Sequence, residues 1–322
     1  MSLKKRQILL LVCVIVFLVF SPLVIFYALG YKYSWQESRW LKTGAFYFQT
    51  NPSEAKIFID KKNRGETSKL VDYLLPGLHS IALKKDNHQI WQKKLIIKPE
   101  LVTNISRLVL PLELINISRT NKNNFLSAID LPDSSFYFQT STKIIYQNKN
   151  GFKKQYSIKL FPESIQDCQI IASKNHLIVI SKKGNLYLLE NRKFIKIASG
   201  VVKAQFASND SKFLWQNKNE IWVYYFKNNF SQSINEEENE KLIIRLSQPI
   251  KQSIWLSPWG QQIFFLADKS VRLVELNSRG GTNIFTLRFN PYIQIEKIYW
   301  DSGSKYLYLL DQNGQWWKGR VW

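Results

Sequence analysis

Apolar and polar positions divide the chain into one long apolar run and a much longer body that alternates. The run extends from Ile8 to Leu29 without a charge, directly after Lys4, Lys5 and Arg6. A bilayer core about 30 Å thick is crossed by about 20 helical residues rising 1.5 Å each, so this stretch predicts a transmembrane helix. From Gly30 onward no second run of that length occurs. Between Gly44 and Leu114 the period is two. Ala55, Ile57 and Ile59 share one strand face and Lys56 and Asp60 the other. Further strands are expected around Ile81 and Leu83, across Ile90 to Ile97 and across Val102 to Leu110. Turns are expected at Asn51-Pro52, Lys62-Asn63-Arg64-Gly65 and Leu75-Pro76-Gly77. Several short strands in so few residues predict a small β-sandwich.

After a polar stretch, read as a linker over 115–125, one unit recurs to the end of the chain: turn, apolar strand, turn, apolar strand. The first turns are Leu131-Pro132-Asp133-Ser134, Ala172-Ser173-Lys174-Asn175, Ala207-Ser208-Asn209-Asp210, Ser257-Pro258-Trp259-Gly260 and Asp301-Ser302-Gly303-Ser304. They lie about 35 to 50 residues apart, the spacing of propeller blades, whose sheets are buried only by their neighbours. About five blades over 126–322 are expected.

Two resemblances follow. Phe46-Tyr47-Phe48-Gln49-Thr50, Asn51-Pro52-Ser53-Glu54-Ala55, Lys56-Ile57-Phe58-Ile59-Asp60, Leu74-Leu75-Pro76-Gly77 and Asn87-His88-Gln89-Ile90-Trp91 resemble, in order and spacing, the PEGA domain of envelope proteins. Glu54 stands where that pattern carries its name-giving glycine, and Lys61 replaces the glycine after Asp60. The resemblance implies a binding or spacer module with no catalytic residues to carry over. Ser257-Pro258-Trp259-Gly260 before Ile263-Phe264-Phe265 is similar to the Ser-Pro-Asp-Gly turn of WD-like propellers, with Trp259 in place of the aspartate. The fold class is therefore all-β with one N-terminal transmembrane helix, a small PEGA-like sandwich (44–114) and a propeller-like repeat domain.

Location follows from the helix. Lys4, Lys5 and Arg6 favour a cytoplasmic N-terminus, giving a cytoplasmic tail 1–7, an anchor 8–29, a juxtamembrane linker 30–43 and an extracytoplasmic body. A cleaved signal peptide is the competing reading, because Ala28-Leu29-Gly30 is a small-x-small triplet. Its apolar region is usually only 7–15 residues, however, and here apolar character continues through Leu23 to Tyr27. Cys13 lies inside the run and Cys168 in the body, so no disulfide can join them.

Net charge is +21 and the pI about 9.8. Topology and the lack of any helix-turn-helix, zinc-finger or RNP pattern argue against nucleic acid. Lysine pairs near turns, such as Lys61-Lys62, protect strand edges, and they would also attract anionic lipid or cell-wall polymer. The candidate partner-binding residues are Lys61, Lys62 and Arg64, with Trp259 as a turn indole able to stack on a sugar or a protein partner on the propeller face.

No catalytic, cofactor or metal residues are assigned. His79 and His88 lie on different elements without a Cys or carboxylate cluster, and Glu236-Glu237-Glu238 with Glu240 reads as a solvated loop. An exported glycan-active propeller enzyme is the alternative. It would need carboxylates converging from Asp130, Asp133, Glu163, Asp167, Asp210, Asp268, Glu275, Asp301 and Asp311, which lie scattered singly along the chain. A non-enzymatic binding or scaffold module is the leading expectation.

Overall fold

The computed structural model describes residues 3–121, 136–139, 143–147, 153–165, 167–226, 239–256 and 260–322. The chain forms two compact units. One comprises 1–86, 90–110 and 279–281; the other comprises 87–89, 111–278 and 282–322.

The first unit opens with helix α1 (Leu3–Ala28), which runs through Pro22. A proline costs the helix one backbone hydrogen bond there without ending it. Leu9–Ala28 is long and apolar enough to cross a membrane, and none of it is buried in the protein. A helix apolar on every face has no polar stripe to offer water.

Residues 31–42, expected as linker, instead form a hairpin of β1 (Tyr31–Ser34) and β2 (Arg39–Lys42). Tyr31 pairs with Lys42 and Tyr33 with Trp40, and aromatic side chains favour such pleated pairing. Seven more strands follow: β3 (Gly44–Asn51), β4 (Lys56–Ile59), β5 (Lys62–Glu66), β6 (Lys69–Leu74), β7 (Gly77–Lys84), β8 (Trp91–Ile97) and β9 (Val102–Val109). They make two sheets, β6-β3-β9 and β5-β4-β7-β8.

The expected alternation appears directly in burial. Along β8, Trp91, Leu95 and Ile97 are buried while Gln92, Lys94 and Ile96 face out. Phe46 and Phe48 of β3, Ile57 and Ile59 of β4, and Ile81 and Leu83 of β7 complete the core. Each such apolar side chain contributes about 1.5–3 kcal/mol by leaving water. Gly44 permits the close approach of β3 to the chain after β8, because a Cβ there would lie 2.4 Å from the Lys98 carbonyl oxygen. One turn lies elsewhere than expected: Lys62-Asn63-Arg64-Gly65, read as a turn, belongs to edge strand β5, and the turn is Asp60-Lys61.

The second unit begins with β10 (Ile115–Thr120), where a linker was expected. Ile115 and Ile117 point inward beneath an Asn- and Ser-bearing exterior. Five sheets then follow in chain order. The first has three described strands, β11 (Phe136–Gln139), β12 (Lys143–Gln147) and β13 (Lys153–Ser157). Next come β14 (Gln169–Ala172), β15 (Leu177–Ile180), β16 (Leu186–Glu190) and β17 (Lys193–Ala198). The third holds β18 (Lys203–Phe206), β19 (Lys212–Gln216), β20 (Glu220–Tyr225) and β21 (Glu240–Arg245). The fourth holds β22 (Ile250–Trp255), β23 (Gln262–Ala267), β24 (Ser270–Glu275) and β25 (Ile284–Thr286). After β26 (Phe289–Asn290), a short parallel partner of β10, the fifth holds β27 (Ile295–Asp301), β28 (Tyr306–Asp311) and β29 (Trp316–Arg320).

Each sheet is an antiparallel meander in simple order, and β10 supplies the strand beyond β29 in the last one. β10, near the start of the unit, is thus paired with β29 near its end, and the described residues form five successive sheets in a propeller-like arrangement. Core clusters lie between successive sheets. Ile178, Ile180 and Leu188 pack with Phe206, Phe213 and Trp215, and Leu214, Ile221 and Val223 pack with Trp255, Ile263 and Phe265. The turns at 172–175, 207–210 and 301–304 each join the first and second strands of their sheet. Ser173 and His176 close one such turn through two backbone and side-chain hydrogen bonds. The turn at 131–134 lies outside the described residues.

Candidate functional site

Lys61, Lys62 and Arg64 do come together, because all three sit on the Asp60-Lys61 turn and on exposed edge strand β5. None of them forms an ion pair among the described residues. The turn is pinned from β7. His79 Nδ1 meets Asp60 Oδ2 at 2.6 Å, the Ser80 backbone N–H donates to Asp60 Oδ1 at 3.0 Å, and the His79 Nε2–H donates to the Leu75 carbonyl at 2.8 Å. Burial pushes the Asp60 carboxyl up, but the His79 and Ser80 hydrogen bonds and the charges of His79 and Arg64 outweigh it and hold the group below its ordinary value. His79 is therefore a structural brace of the turn. His88 sits elsewhere, opposite Leu112 in an isolated bridge. No group of three or more His, Cys, Asp or Glu side chains able to hold a metal occurs among the described residues.

The turn residues decide what this first β-domain is. Residues 43–110 match the PEGA domain. The match ends at Leu110, four residues short of the expected boundary, where the chain crosses into the second unit. The two departures from the PEGA pattern both fall in the left-handed backbone region: φ is +62° at Glu54 and +67° at Lys61, beside +50° at Asp60. Glycine suits those positions because it has no Cβ to clash with the carbonyl. Here residues other than glycine hold that left-handed backbone. Lys85 braces the first of them, donating to the Ser53 carbonyl at 2.7 Å and lying 3.8 Å from the Glu54 carboxylate.

In the second unit Trp259 lies outside the described residues, as do Asp130, Asp133 and Glu236 to Glu238. Several of the described carboxylates serve local turns, while Asp210 accepts from the Asn175 N–H in the turn of the preceding sheet at 3.0 Å. Asp301 accepts from Gly303 N and Ser304, and Asp311 accepts from Asn313 N, Gln315 N and the Trp317 indole. Glu275 accepts from Asn283, and Asp167 pairs with Lys182. The Tyr187 hydroxyl donates to Glu163 at 2.6 Å, holding that carboxyl low and pushing the phenol up to about 12.

The tryptophans mostly stack within and between sheets, as aromatic packing requires. Trp215 lies parallel to Trp222 at 5.4 Å, and Trp300 stacks on Trp322 at 5.1 Å.

Two features escape sequence reasoning. Lys203, on β18, donates to the Ser253 carbonyl at 3.2 Å, and burial pulls its amine down to about 8. On the last sheet, Arg320 and Lys318 of β29 both lie against the Tyr306 ring of β28, at 5.3 and 5.2 Å from its centroid. Only a Tyr-x-Tyr facing a Lys-x-Arg signals this in the sequence, and it becomes visible once the register Tyr306↔Arg320 and Tyr308↔Lys318 is known.

Among solved structures, the chain is similar to the β-propeller domain of Cps50 (Swd1) from Myceliophteria thermophila. Identity is 11%, with 76% of this chain and 93% of that one covered at a TM-score of 0.39. The C-terminal WD40 domain of Sif2 aligns at 12% identity over 87% of this chain and 96% of that one, with a TM-score of 0.35. Kluyveromyces lactis Hsv2 aligns at 10% identity over 84% and 72%, with a TM-score of 0.36. Similarity at that level says nothing of ligand or activity. No curated protein matches the chain.

Proposed function

We propose that the protein is a membrane-anchored, extracytoplasmic, non-enzymatic binding or scaffold module of the cell envelope. α1 crosses the bilayer with its basic N-terminus in the cytoplasm, the PEGA domain stands next to the membrane, and the five-bladed unit presents loops to a partner. One observation supports the anchored form over a cleaved signal peptide: two exposed rings in the last turn of α1 lie against rings of the first unit. Phe26 stacks on Trp40 at 5.3 Å and meets Tyr31 edge-on at 5.5 Å, while Tyr27 lies parallel to Tyr73 of β6 at 4.7 Å. Cleavage at Gly30 would strip these rings from the PEGA unit.

The hairpin that receives the helix has the composition of an interfacial collar. Trp35 is 87% exposed at its tip, Tyr33 lies edge-on to it at 4.9 Å, and Lys32, Arg39 and Lys42 are interspersed. Tryptophan and tyrosine prefer the headgroup layer, with lysine and arginine reaching into water. Lys61, Lys62 and Arg64 are the residues that draw anionic lipid or wall polymer to the PEGA edge, and Trp259 is the turn indole offered to a sugar or protein.

A protease-cleavable tag fused after Trp322 tests the orientation. In cells stripped of any outer barrier, external protease should remove the tag while the membrane pellet keeps a full-length N-terminal fragment. A protected tag reverses the topology, and release of the body into the medium replaces the anchor with a signal peptide. Retention of anionic wall polymer by the full chain should fall between about 0.1 and 0.5 M salt. Retention that ignores salt removes the electrostatic part of the reading.

A further inference from the structure

The last sheet of the second unit carries a concavity of about 430 Å³ lined by Gly303, Ser304, Lys305, Tyr306, Arg320 and Trp322. Its chemistry is one-sided. Arg320 and Lys305 line it, Lys305 being exposed, and Lys318 lies beside the lining, its ammonium against the same Tyr306 ring as the Arg320 guanidinium. Like charges on neighbouring side chains repel one another, and an anion between them relieves the repulsion. No protein anion does: Arg320, Lys318 and Lys305 form no ion pair among the described residues. Asp301, before this turn, is occupied by the Gly303 and Ser304 backbone N–H groups and the Ser304 hydroxyl. The register holds the arrangement rigidly, since Tyr306 pairs with Arg320 and Tyr308 with Lys318 on one face of the β28–β29 ladder. Trp322 closes the other wall, its indole fixed by stacking on Trp300.

We propose that this concavity binds a phosphate group carried on a small polyol. Arg320 receives two phosphate oxygens through its planar fork, and Lys318 and Lys305 add point charge. The faces of Tyr306 and Trp322 cover the carbon skeleton. Such a group occurs both in a soluble phosphodiester polymer and in a glycerophospholipid headgroup, which share this chemistry. The site does not depend on which side of a membrane the body occupies, and its residues are separate from Lys61, Lys62 and Arg64.

Full-length protein in a non-ionic polyoxyethylene detergent, titrated calorimetrically with sn-glycerol 3-phosphate, inorganic phosphate and glycerol, tests the proposal. Glycerol 3-phosphate should bind, inorganic phosphate more weakly, and glycerol not at all. R320Q and K318Q should each weaken glycerol 3-phosphate by about ten-fold, the effect of losing one charge-assisted hydrogen bond, and R320K should fall between. Y306L should reduce the advantage of glycerol 3-phosphate over inorganic phosphate. K61Q, K62Q and R64Q should leave all of these affinities unchanged.

Flotation of the detergent-depleted protein with phosphatidylglycerol vesicles, with and without glycerol 3-phosphate as competitor, separates the two sources. Competition assigns the headgroup, and its absence alongside calorimetric binding assigns the soluble phosphodiester. Phosphate probes that bind no better than glycerol would overturn the site. So would R320Q and K318Q proteins that keep both wild-type circular dichroism and wild-type affinity.

Discussion

Gln252 holds the backbone of Ile298 from both sides. Its Nε2–H donates to the Ile298 carbonyl at 2.7 Å, and its Oε1 accepts from the Ile298 N–H at 2.9 Å. A side-chain amide on β22 thereby imitates a strand partner for β27 and links the first strands of two successive sheets. Gln216 makes the preceding link, accepting from the Ser253 hydroxyl at 2.5 Å and donating to the Ile250 carbonyl at 3.3 Å. These amides add directional links to the apolar contacts and to the few other polar links between the sheets, such as Lys203 to the Ser253 carbonyl. Gln252→Leu keeps the volume and leaves both Ile298 groups without this partner, so it should cost about 1–3 kcal/mol. A lower urea midpoint with an unchanged m-value is the expected reading. An unchanged midpoint would mean that water replaces the amide without loss.

Glu54 and Lys61 give the opposite sign. Both hold a positive φ, +62° and +67°, that an L side chain adopts at a cost of about 1–2 kcal/mol. Glycine removes that strain and gives back part of it as unfolded-state entropy. Glu54→Gly and Lys61→Gly should therefore each raise stability by about 0.5–1 kcal/mol. Lys61→Ala, which keeps the Cβ, should not. Thermal unfolding of the three variants checks this, and equal shifts for glycine and alanine would assign the effect to charge instead.

How much of this was legible depends on which residues carried the pattern. β4, β7 and β8 announce themselves because the apolar positions Ile57, Ile59, Ile81, Leu83, Leu95 and Ile97 recur at every second residue in short segments closed by Lys56, Asp60, Lys84, Lys94 and Lys98. The second and third strands of each later sheet are legible for a different reason: runs such as Ile263 to Leu266 are buried on both faces. Outer strands are not legible. β13 and β17 carry Lys153, Lys154, Lys193 and Lys196 and are largely half-exposed or exposed, so their composition imitates loops. β5 is exposed along nearly all its length and has no apolar face to show. Of the proposed surfaces, the Lys61 edge was readable because its residues are neighbours in sequence. The Arg320–Tyr306 pocket was not, because its residues meet only through strand register.

Lys203 couples stability to pH. Its amine titrates at about 8 when folded, against an ordinary 10.5, because burial disfavours the charge. Below pH 8 both folded and unfolded chains carry the proton, and the folded state bears the full penalty, at most about 3 kcal/mol. Between about 8 and 10.5 the unfolded chain holds more protons than the folded one, so stability contributed at this site rises with pH. Above 10.5 both are neutral and the penalty is gone. Lys203→Met should therefore be more stable than the parent at pH 7, with the gap closing by pH 10.5. Other lysines and tyrosines titrate equally in both proteins and cancel in the difference. A gap independent of pH would mean that the amine keeps its ordinary value.

Gly319 controls the pairing of β10 with β29. It sits on β29 opposite Ile117 of β10. A Cβ placed on it would lie 2.7 Å from Ile115 Cγ2, 2.8 Å from Ile117 Cγ2 and 3.1 Å from the Asn116 carbonyl oxygen. Those atoms belong to the strand that joins the start of the unit to its end, so any side chain must push β10 away from β29. Gly319→Ala should cost about 1–3 kcal/mol by overpacking, and Gly319→Val should cost more. The loss should be local before it is global: amides of Ile117 to Thr120 should exchange with solvent faster than those of β23 and β24, whose sheet does not contain β10. Trimming Ile115 and Ile117 to alanine in the Gly319→Ala background should restore part of the lost stability by making room. Slower or unaltered exchange across 117–120 would show that the sheet is not held shut by this strand.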